Sequence, residues 1–380
     1  MVSLNGNNQE APPQADEIEV SLFGPGYGEC VLLHLGFSDW VIVDSCLNKD
    51  KRPPVLEYLR ALGQDPAQVV KLVVATHWHD DHIGGLGVLF KECRSARFAC
   101  SGALKGQEFL TLVKAASINS MMRTSGVKEF SDVVETLEKR TNSRSGLGSP
   151  TLASANKILW MRHKINDQSF SAEIRSLSPS DAAVTRTQFE IASLLPKVHE
   201  PKRRVSPRSP NHSAVALWVT AGDLRILLGS DLEESGNPET GWTAVLDPAV
   251  RPQGKASVFK VAHHGSDTAH NPRIWADLLE PNPHAILTPF IRGRIVLPTP
   301  QDSSRICGYT PKAFITADLK VKQVKGRPNT VEKTIRETVR SIRELPSSRG
   351  IIQLRKNALD ADINNWSVQL FPPAVSLCSA

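Results

Sequence analysis

The chain has 380 residues, 40% of them hydrophobic, enough apolar material for one large α/β domain with a sizeable core. Aromatic residues make up only 6%, so that core must lean on Val, Leu, Ile and Ala. The net charge of +6 fits an anionic partner, such as a nucleic acid or nucleotide, as readily as ordinary surface chemistry. No apolar run approaches the roughly 20 residues of a membrane span. Cys30, Cys46, Cys93, Cys100, Cys307 and Cys378 form no C-x-x-C pair and no zinc-ribbon spacing. With no secretory signal legible, the expectation is a cytoplasmic protein with free thiols and no membrane contact. Nothing in the sequence sets the oligomeric state.

In chain order, residues 1–15 are polar and rich in Pro, Gln and Asn, and read as a disordered lead. Residues 16–310 read as the main domain and 311–380 as a C-terminal extension packing on it. Glu17 to Leu22 alternates polar and apolar side chains, the mark of a half-buried strand. The turn Gly24-Pro25-Gly26-Tyr27-Gly28 leads to a second strand at Cys30–Leu35 and a third at Trp40–Val43, which suggests a β-meander. His34, inside the second strand, reads as structural. The third strand ends in Asp44, which is either a cap for the next turn or a carboxylate that orients metal ligands from behind. Pro53 to Leu62 reads as a helix with Val55, Leu56, Leu59 and Leu62 on one face, making a βαβ step.

The densest chemistry comes next. The apolar run Lys71 to Ala75 reads as a buried strand, and Gly84-Gly85-Leu86 as a helix start. Between them lies His77-Trp78-His79-Asp80-Asp81-His82. A turn at a strand end with three imidazoles and two carboxylates is costly to bury without a cation. Imidazole and carboxylate are also the ligand types of zinc, manganese and iron sites. Thr76-His77-x-His79-x-Asp81-His82 resembles the H-x-H-x-D-H signature of the metallo-β-lactamase superfamily. That resemblance implies an αββα sandwich, an α/β fold of two mixed β-sheets flanked by helices. It also favours Asp44 as a site carboxylate. The stretch Gly24 to Asp44 looks most like the subgroup that includes the nuclease-like domain of ComEC-type DNA-uptake proteins.

From about residue 104 to 156 the pattern reads as a helical insertion, with Val127, Phe130, Val133, Val134 and Leu137 at helical spacing. It is either a lid or partner surface, or a solvated excursion. Ile174 to Leu177 reads as a strand, followed by a helix to about Leu195. The loop 196–211 carries Lys197, Lys202, Arg203, Arg204 and Arg208, and is a phosphate-contacting arm or a solvated basic loop. It has no aromatic stacking platform, which argues against sequence-specific reading. Strands at Ala214–Val219 and Arg225–Leu228 lead to Gly229-Ser230-Asp231. The resemblance makes Asp231 the family's late metal-bridging aspartate, although the family usually shows Gly-Asp without the intervening serine. A strand at Val258–Val261 ends in His263-His264-Gly265-Ser266, the best match to the ComEC-type subgroup. Pro272–Leu279 reads as a helix and Ala285–Leu287 as a strand. Beyond Lys320, Lys322, Lys325 and Arg327 comes a basic amphipathic helix marked by Val331, Ile335, Val339 and Ile342. Ile351–Leu354 and Trp366–Leu370 then read as strands, forming a closing hairpin or a small appended sheet.

Four strand ends therefore carry acid or imidazole, and one sheet edge could gather them. The count suits two divalent ions, zinc by preference and manganese as the alternative. His77 and His79 would hold one, Asp81, His82 and His264 the other, with Asp231 between them. A metal-activated water is then the nucleophile, and no side-chain nucleophile is needed. Asp81, His263 on the substrate side, and Asp44 complete the catalytic set. Most of the superfamily supplies one further histidine to the first ion. Here His163, His199 and His212 are the candidates, and Ser178 stands where relatives have that histidine. The function these residues imply is phosphodiester hydrolysis, as a nuclease. The alternatives are a small cyclic nucleotide phosphodiesterase, another hydrolase of this fold acting on thioesters or lactams, and a regulatory binding module with a vestigial metal site.

Overall fold

The computed structural model describes residues 11–24, 27–105, 125–141, 147–164, 169–194, 210–247, 249, 251–317, 319, 350–360 and 362–378. The chain builds one sheet, then a second, then returns to both. Strands β1 (Glu17–Phe23), β2 (Cys30–Leu35) and β3 (Trp40–Val43) form the expected antiparallel meander. Strands β4 (Val70–Ala75), β5 (Arg97–Ser101) and β6 (Thr151–Ala153) add to it in parallel. In the second sheet, β7 (Lys157–Arg162), β8 (Ala172–Ser176), β9 (Leu217–Ala221) and β10 (Leu224–Leu228) are antiparallel neighbours. Strands β11 (Ala256–Lys260) and β12 (Leu279–Leu287) then run parallel to β10. A two-stranded ribbon, β13 (Phe290–Arg292) and β14 (Ile295–Leu297), stands outside both sheets. Strand β15 (Ala313–Ile315) joins β12, and β16 (Ile351–Asn357) with β17 (Ser367–Phe371) returns to the first sheet beside β1. Strand β18 (Val375–Ser376) ends the second sheet against β15.

The period-2 alternation of the strands sorts side chains into layers. Val31, Leu33, Val41, Val43, Leu72 and Val74 of the first sheet meet Ile174, Val219, Ile226, Leu228 and Val258 of the second in a central core. Each such side chain contributes on the order of 1.5–3 kcal/mol when fully buried. The opposite face of the first sheet, with Leu32, Ile42 and Val73, packs against the helices Pro54–Ala61, Leu86–Glu92 and Ser125–Thr141. The outer face of the second, with Leu227, Phe259 and Leu287, is covered by Trp242, Leu278 and Ile306 from the short helical segments beyond it. This is the αββα sandwich of two mixed sheets that the sequence led us to expect.

Several expectations change. Within the 104–156 stretch, the helix Ser125–Thr141 lies between β5 and β6 in sequence and covers the first sheet through buried Phe130, Val133 and Leu137. It is pinned there by Arg140, whose guanidinium donates to the carbonyls of Ala96, Phe90 and Cys93. Residues 151–153, read as the end of an insertion, are instead an edge strand. The stretch 311–380 is not an appendage, since β15 to β18 belong to the two sheets. Residues 11–15 are tied to the fold: the Ala15 carbonyl accepts from the Phe37 amide at 2.8 Å and the Ala11 carbonyl from Arg355 at 2.9 Å. The free-thiol expectation fails for Cys307 and Cys378, which form a disulfide between the helix Pro300–Tyr309 and the chain just past β18. Cys30, Cys46, Cys93 and Cys100 are free and buried. No described helix is long and apolar enough to cross a membrane. Residues 1–10, nearly all of the basic loop 196–211, and the basic helix around 331–342 lie outside the described residues.

Candidate metal centre

Two sheet edges, not one, gather the site. The carboxyl ends of the parallel pair β3–β4 face those of β10 and β11, and the loops after these strands bring the candidate ligands together. Asp44 sits just past β3 with φ 62° and its amide bonded to the Val74 carbonyl at 2.8 Å. That left-handed turn aims its carboxylate across β4. Oδ1 accepts from the Thr76 amide at 2.8 Å, and Oδ2 accepts from the Thr76 hydroxyl at 2.7 Å and faces His82 Nδ1 at 2.8 Å.

These contacts fix the tautomers. His82 Nδ1 carries its proton toward Asp44. The Thr76 hydroxyl has given its own proton to Asp44, so it accepts from His77 Nδ1 at 3.0 Å. His264 Nδ1 lies 3.2 Å from the Thr288 carbonyl, which can only accept. The Nε2 atoms of all three rings therefore point away from these supports, and they converge. His77 Nε2 faces His79 Nδ1 at 3.2 Å and Asp231 Oδ2 at 3.8 Å. His82 Nε2 lies 3.3 Å from Asp231 Oδ1 and 3.7 Å from Asp81 Oδ2. His264 Nε2 lies 3.2 Å from Asp81 Oδ2 and 3.8 Å from Asp231 Oδ2. Asp231 thus stands between a His77/His79 cluster and an Asp81/His82/His264 cluster.

The second sheet's loops reach the site through strained backbone. Ser230, His263 and His264 all have positive φ, at 47°, 47° and 53°. Gly229 has to be glycine because a Cβ there would lie 2.9 Å from the Ala262 Cβ. The left-handed pair at 263–264 splits the two imidazoles. His264 points inward, while His263 turns to Glu233, with Nδ1 3.0 Å from Oε1. Burial opposes a charge on His263, but the hydrogen bond to Glu233 and the nearby Asp231 raise its pKa.

Two residues of the site were not anticipated. Glu29 and Lys260 form a fully buried ion pair 2.5 Å long. Glu29 also accepts from the Thr288 hydroxyl at 2.7 Å and lies against the Nδ1 edges of His82 and His264, at 3.6 and 3.7 Å. Glu29, His82, Asp231 and His264 are close enough to share an ion. Yet Glu29 sits on the Nδ1 side, already engaged by Lys260 and Thr288, so it braces the rings from behind and is not their partner in ligation. The sequence did carry a signal: a lysine in the fully buried strand Ala256–Lys260 requires a buried carboxylate.

The residues fit a divalent cation on two grounds. His82 Nε2 and Asp231 Oδ1 are buried, 3.3 Å apart, and make no hydrogen bond. Four buried carboxylates, Asp44, Asp81, Asp231 and Glu29, surround the site, and among the described residues Lys260 is the one buried ammonium bonded to any of them. Burial works against a charge on His82, but Asp231, Glu29 and Asp81 outweigh it and hold the imidazole well above the ordinary histidine range. Burial likewise opposes ionisation of Asp231, which His82 and His264 nevertheless hold well below the usual carboxylate range. Among the described residues, no further histidine joins the His77/His79 group. His163 is exposed at the end of β7, His212 turns toward Glu233 at 3.9 Å, and His199 lies outside the described residues. Ser178 is spent on backbone, donating to the Ala214 carbonyl at 2.6 Å and accepting from the Ala216 amide at 2.8 Å.

Residues 23–111, which hold Asp44 and the 77–82 cluster, match the model of the metallo-beta-lactamase superfamily. They are the same residues that carry the resemblance in the sequence, and the match stops short of the second sheet's Asp231 and His264. Among solved structures, the chain is similar to the metallo-beta-lactamase fold protein YhfI from Bacillus subtilis, with 13% identity and a TM-score of 0.28. That match covers 58% of this chain and 64% of YhfI, under two thirds of that protein's length. No curated protein matches the sequence.

Proposed function

We propose that this protein is a metal-dependent hydrolase of phosphodiester bonds, acting as a nuclease of the ComEC-type kind. The observation that carries the metal reading is the buried pair His82 Nε2 and Asp231 Oδ1, which make no hydrogen bond and stand where the imidazole Nε2 atoms of His77, His82 and His264 converge. Divalent ions, zinc or manganese, would be held by His77, His79 and Asp231 on one side and by Asp81, His82, His264 and Asp231 on the other; when bound they supply Lewis-acid activation of water and of the scissile group. Asp44 and Thr76 hold His77 and His82 in the tautomer that presents Nε2. Glu29 and Thr288 do the same for His264. His263, partly exposed and kept basic by Glu233, is placed to give a proton to the leaving oxygen. The net charge of +6, the basic stretch at 197–208 and the His-His-Gly-Ser run support a phosphodiester over a thioester or lactam.

A second reading, a binding module with a vestigial centre, is favoured by the His77/His79 group having no third histidine among the described residues. One experiment separates the two. The purified protein is assayed with zinc, manganese and magnesium on a chromogenic phosphodiester and on single- and double-stranded DNA, beside His79→Ala and Asp81→Ala. Metal-dependent turnover lost in both variants is the expected result. A folded wild-type protein with no turnover under any metal would overturn the hydrolase reading. Steep loss of DNA affinity with salt separates a nuclease from a small cyclic nucleotide phosphodiesterase.

A further inference from the structure

The ribbon β13–β14 belongs to neither sheet, and its position asks for a purpose. Its two-residue loop starts at Gly293, with φ 64°, and a Cβ there would meet nothing within 4 Å, so the tip stands in open space. The register pairs Phe290 with Leu297 and Arg292 with Ile295, and cross-strand partners share a face. Phe290, Arg292, Ile295 and Leu297 therefore lie on one side of the ribbon. That side looks onto the metal centre. The Phe290 ring lies 5.3 Å from the His264 ring, tilted by 33°. It also lies 5.9 Å from the ring of Tyr27, which comes from the turn before β2 and is 40% exposed. Burial and then the Asp81 carboxylate raise the Tyr27 pKa, while Arg292 opposes them, so the phenol senses both the centre and the ribbon. Ile295 is 57% exposed, and Arg292 and Arg294 are exposed with no ion pair among the described residues.

A chain with only 6% aromatic residues has thus placed two rings in series beside a candidate ligand, and two uncommitted guanidinium groups farther out. A flat π-face next to a fixed cation suits a planar base joined to a phosphate: stacking accepts any base, and arginine takes the charge. An acyl chain would need no such cation. We propose that Tyr27, Phe290 and Arg292, with Arg294 at the tip, form a subsite that stacks a nucleobase beside the metal centre and binds the next phosphate of the strand. This rests on the phosphodiester reading above and adds a subsite to it.

The test uses the zinc-loaded full chain and three probes in titration calorimetry. Methyl phosphate reports the centre alone, AMP adds a base, and adenosine 3′,5′-bisphosphate adds a second phosphate. The expected result is AMP binding at least tenfold tighter than methyl phosphate, and the bisphosphate tighter again. Tyr27→Ala should collapse the AMP-to-methyl-phosphate ratio toward one, whereas Tyr27→Phe keeps it. Arg292→Gln should collapse the bisphosphate-to-AMP ratio. AMP binding no tighter than methyl phosphate in the wild type would overturn the proposal. So would variants that weaken all three probes in parallel, since that is what mere disturbance of the centre does. Turnover of a chromogenic diester with no AMP preference overturns the subsite alone. AMP preference without turnover overturns the hydrolase reading and leaves the subsite standing.

Discussion

The two halves of the centre are built differently. The first sheet delivers His77, His79, Asp81 and His82 from one turn after β4, and braces that turn with Asp44 and Thr76 through short hydrogen bonds. The second sheet delivers one carboxylate after β10, just past left-handed Ser230, and one inward imidazole after β11 from the left-handed pair His263 and His264. The first half spends many residues, and its left-handed residue, Asp44, stands behind the candidate ligands. The second spends few residues, reaches them through sparsely populated conformations at Ser230, His263 and His264, and anchors them with a buried lysine. A dense turn can carry its own support, whereas isolated ligands depend on what is packed behind them.

If that contrast is right, losses should be uneven. The largest is expected at Asp231, because its carboxylate faces both clusters. Asp231→Ala should cost more in hydrolysis and in bound zinc per chain than the roughly 10–100-fold typical of residues that support ligands. It should also cost more than His79→Ala. Equal losses in the two variants, by kinetics and metal analysis, would show that the halves contribute alike.

Next in size is the anchor. Lys260→Met leaves Glu29 buried and unpaired, which should cost about 3–5 kcal/mol in a denaturant titration. Adding Glu29→Gln to Lys260→Met should recover most of that stability while metal affinity stays weakened. A double variant no more stable than the single one would mean that the ammonium does more than balance Glu29.

The smallest effect treats the two sheets as equals. Each buries one neutral histidine, His34 in β2 and His284 in β12, and burial pushes both down to about 4. The unfolded chain takes up these protons from about pH 6.5 downward, and the folded chain does not. Stability is therefore full above that pH and falls toward pH 4, by up to roughly 3 kcal/mol per histidine. His34→Gln should flatten the decline in the denaturation midpoint between pH 7.5 and 5. An unchanged slope would mean that the decline comes from the centre and not from the sheet.

The same asymmetry governs what the sequence revealed. The 77–82 turn was legible because its ligands are contiguous and follow an apolar strand. Asp231 and His264 were legible mainly through the family's pattern. Glu29 and Lys260 were passed over because each is a single charge at the edge of an apolar run, and their pairing spans the gap between sheets. The strand at 151–153 and those at 313–315 and 375–376 are too short to show a period. The hairpin Ile351–Phe371 was visible, but its place beside β1 was not, because register between distant strands leaves no local trace.

That last pairing sets a timetable. Glu17 stands opposite Asn357, so β1 lacks one neighbour until about 340 further residues have been made. At about 5–20 residues per second, β16 emerges on the order of 20–70 s after β1. Asp231 and His264 also follow the 77–82 turn by many seconds. Through that interval the nascent chain holds an apolar strand with an open edge and a cluster of imidazoles without Asp231. The closing of the sheet and the completion of the centre thus both wait on strands made long after β1 and the 77–82 turn, and an edge left open that long is one for a chaperone to cover.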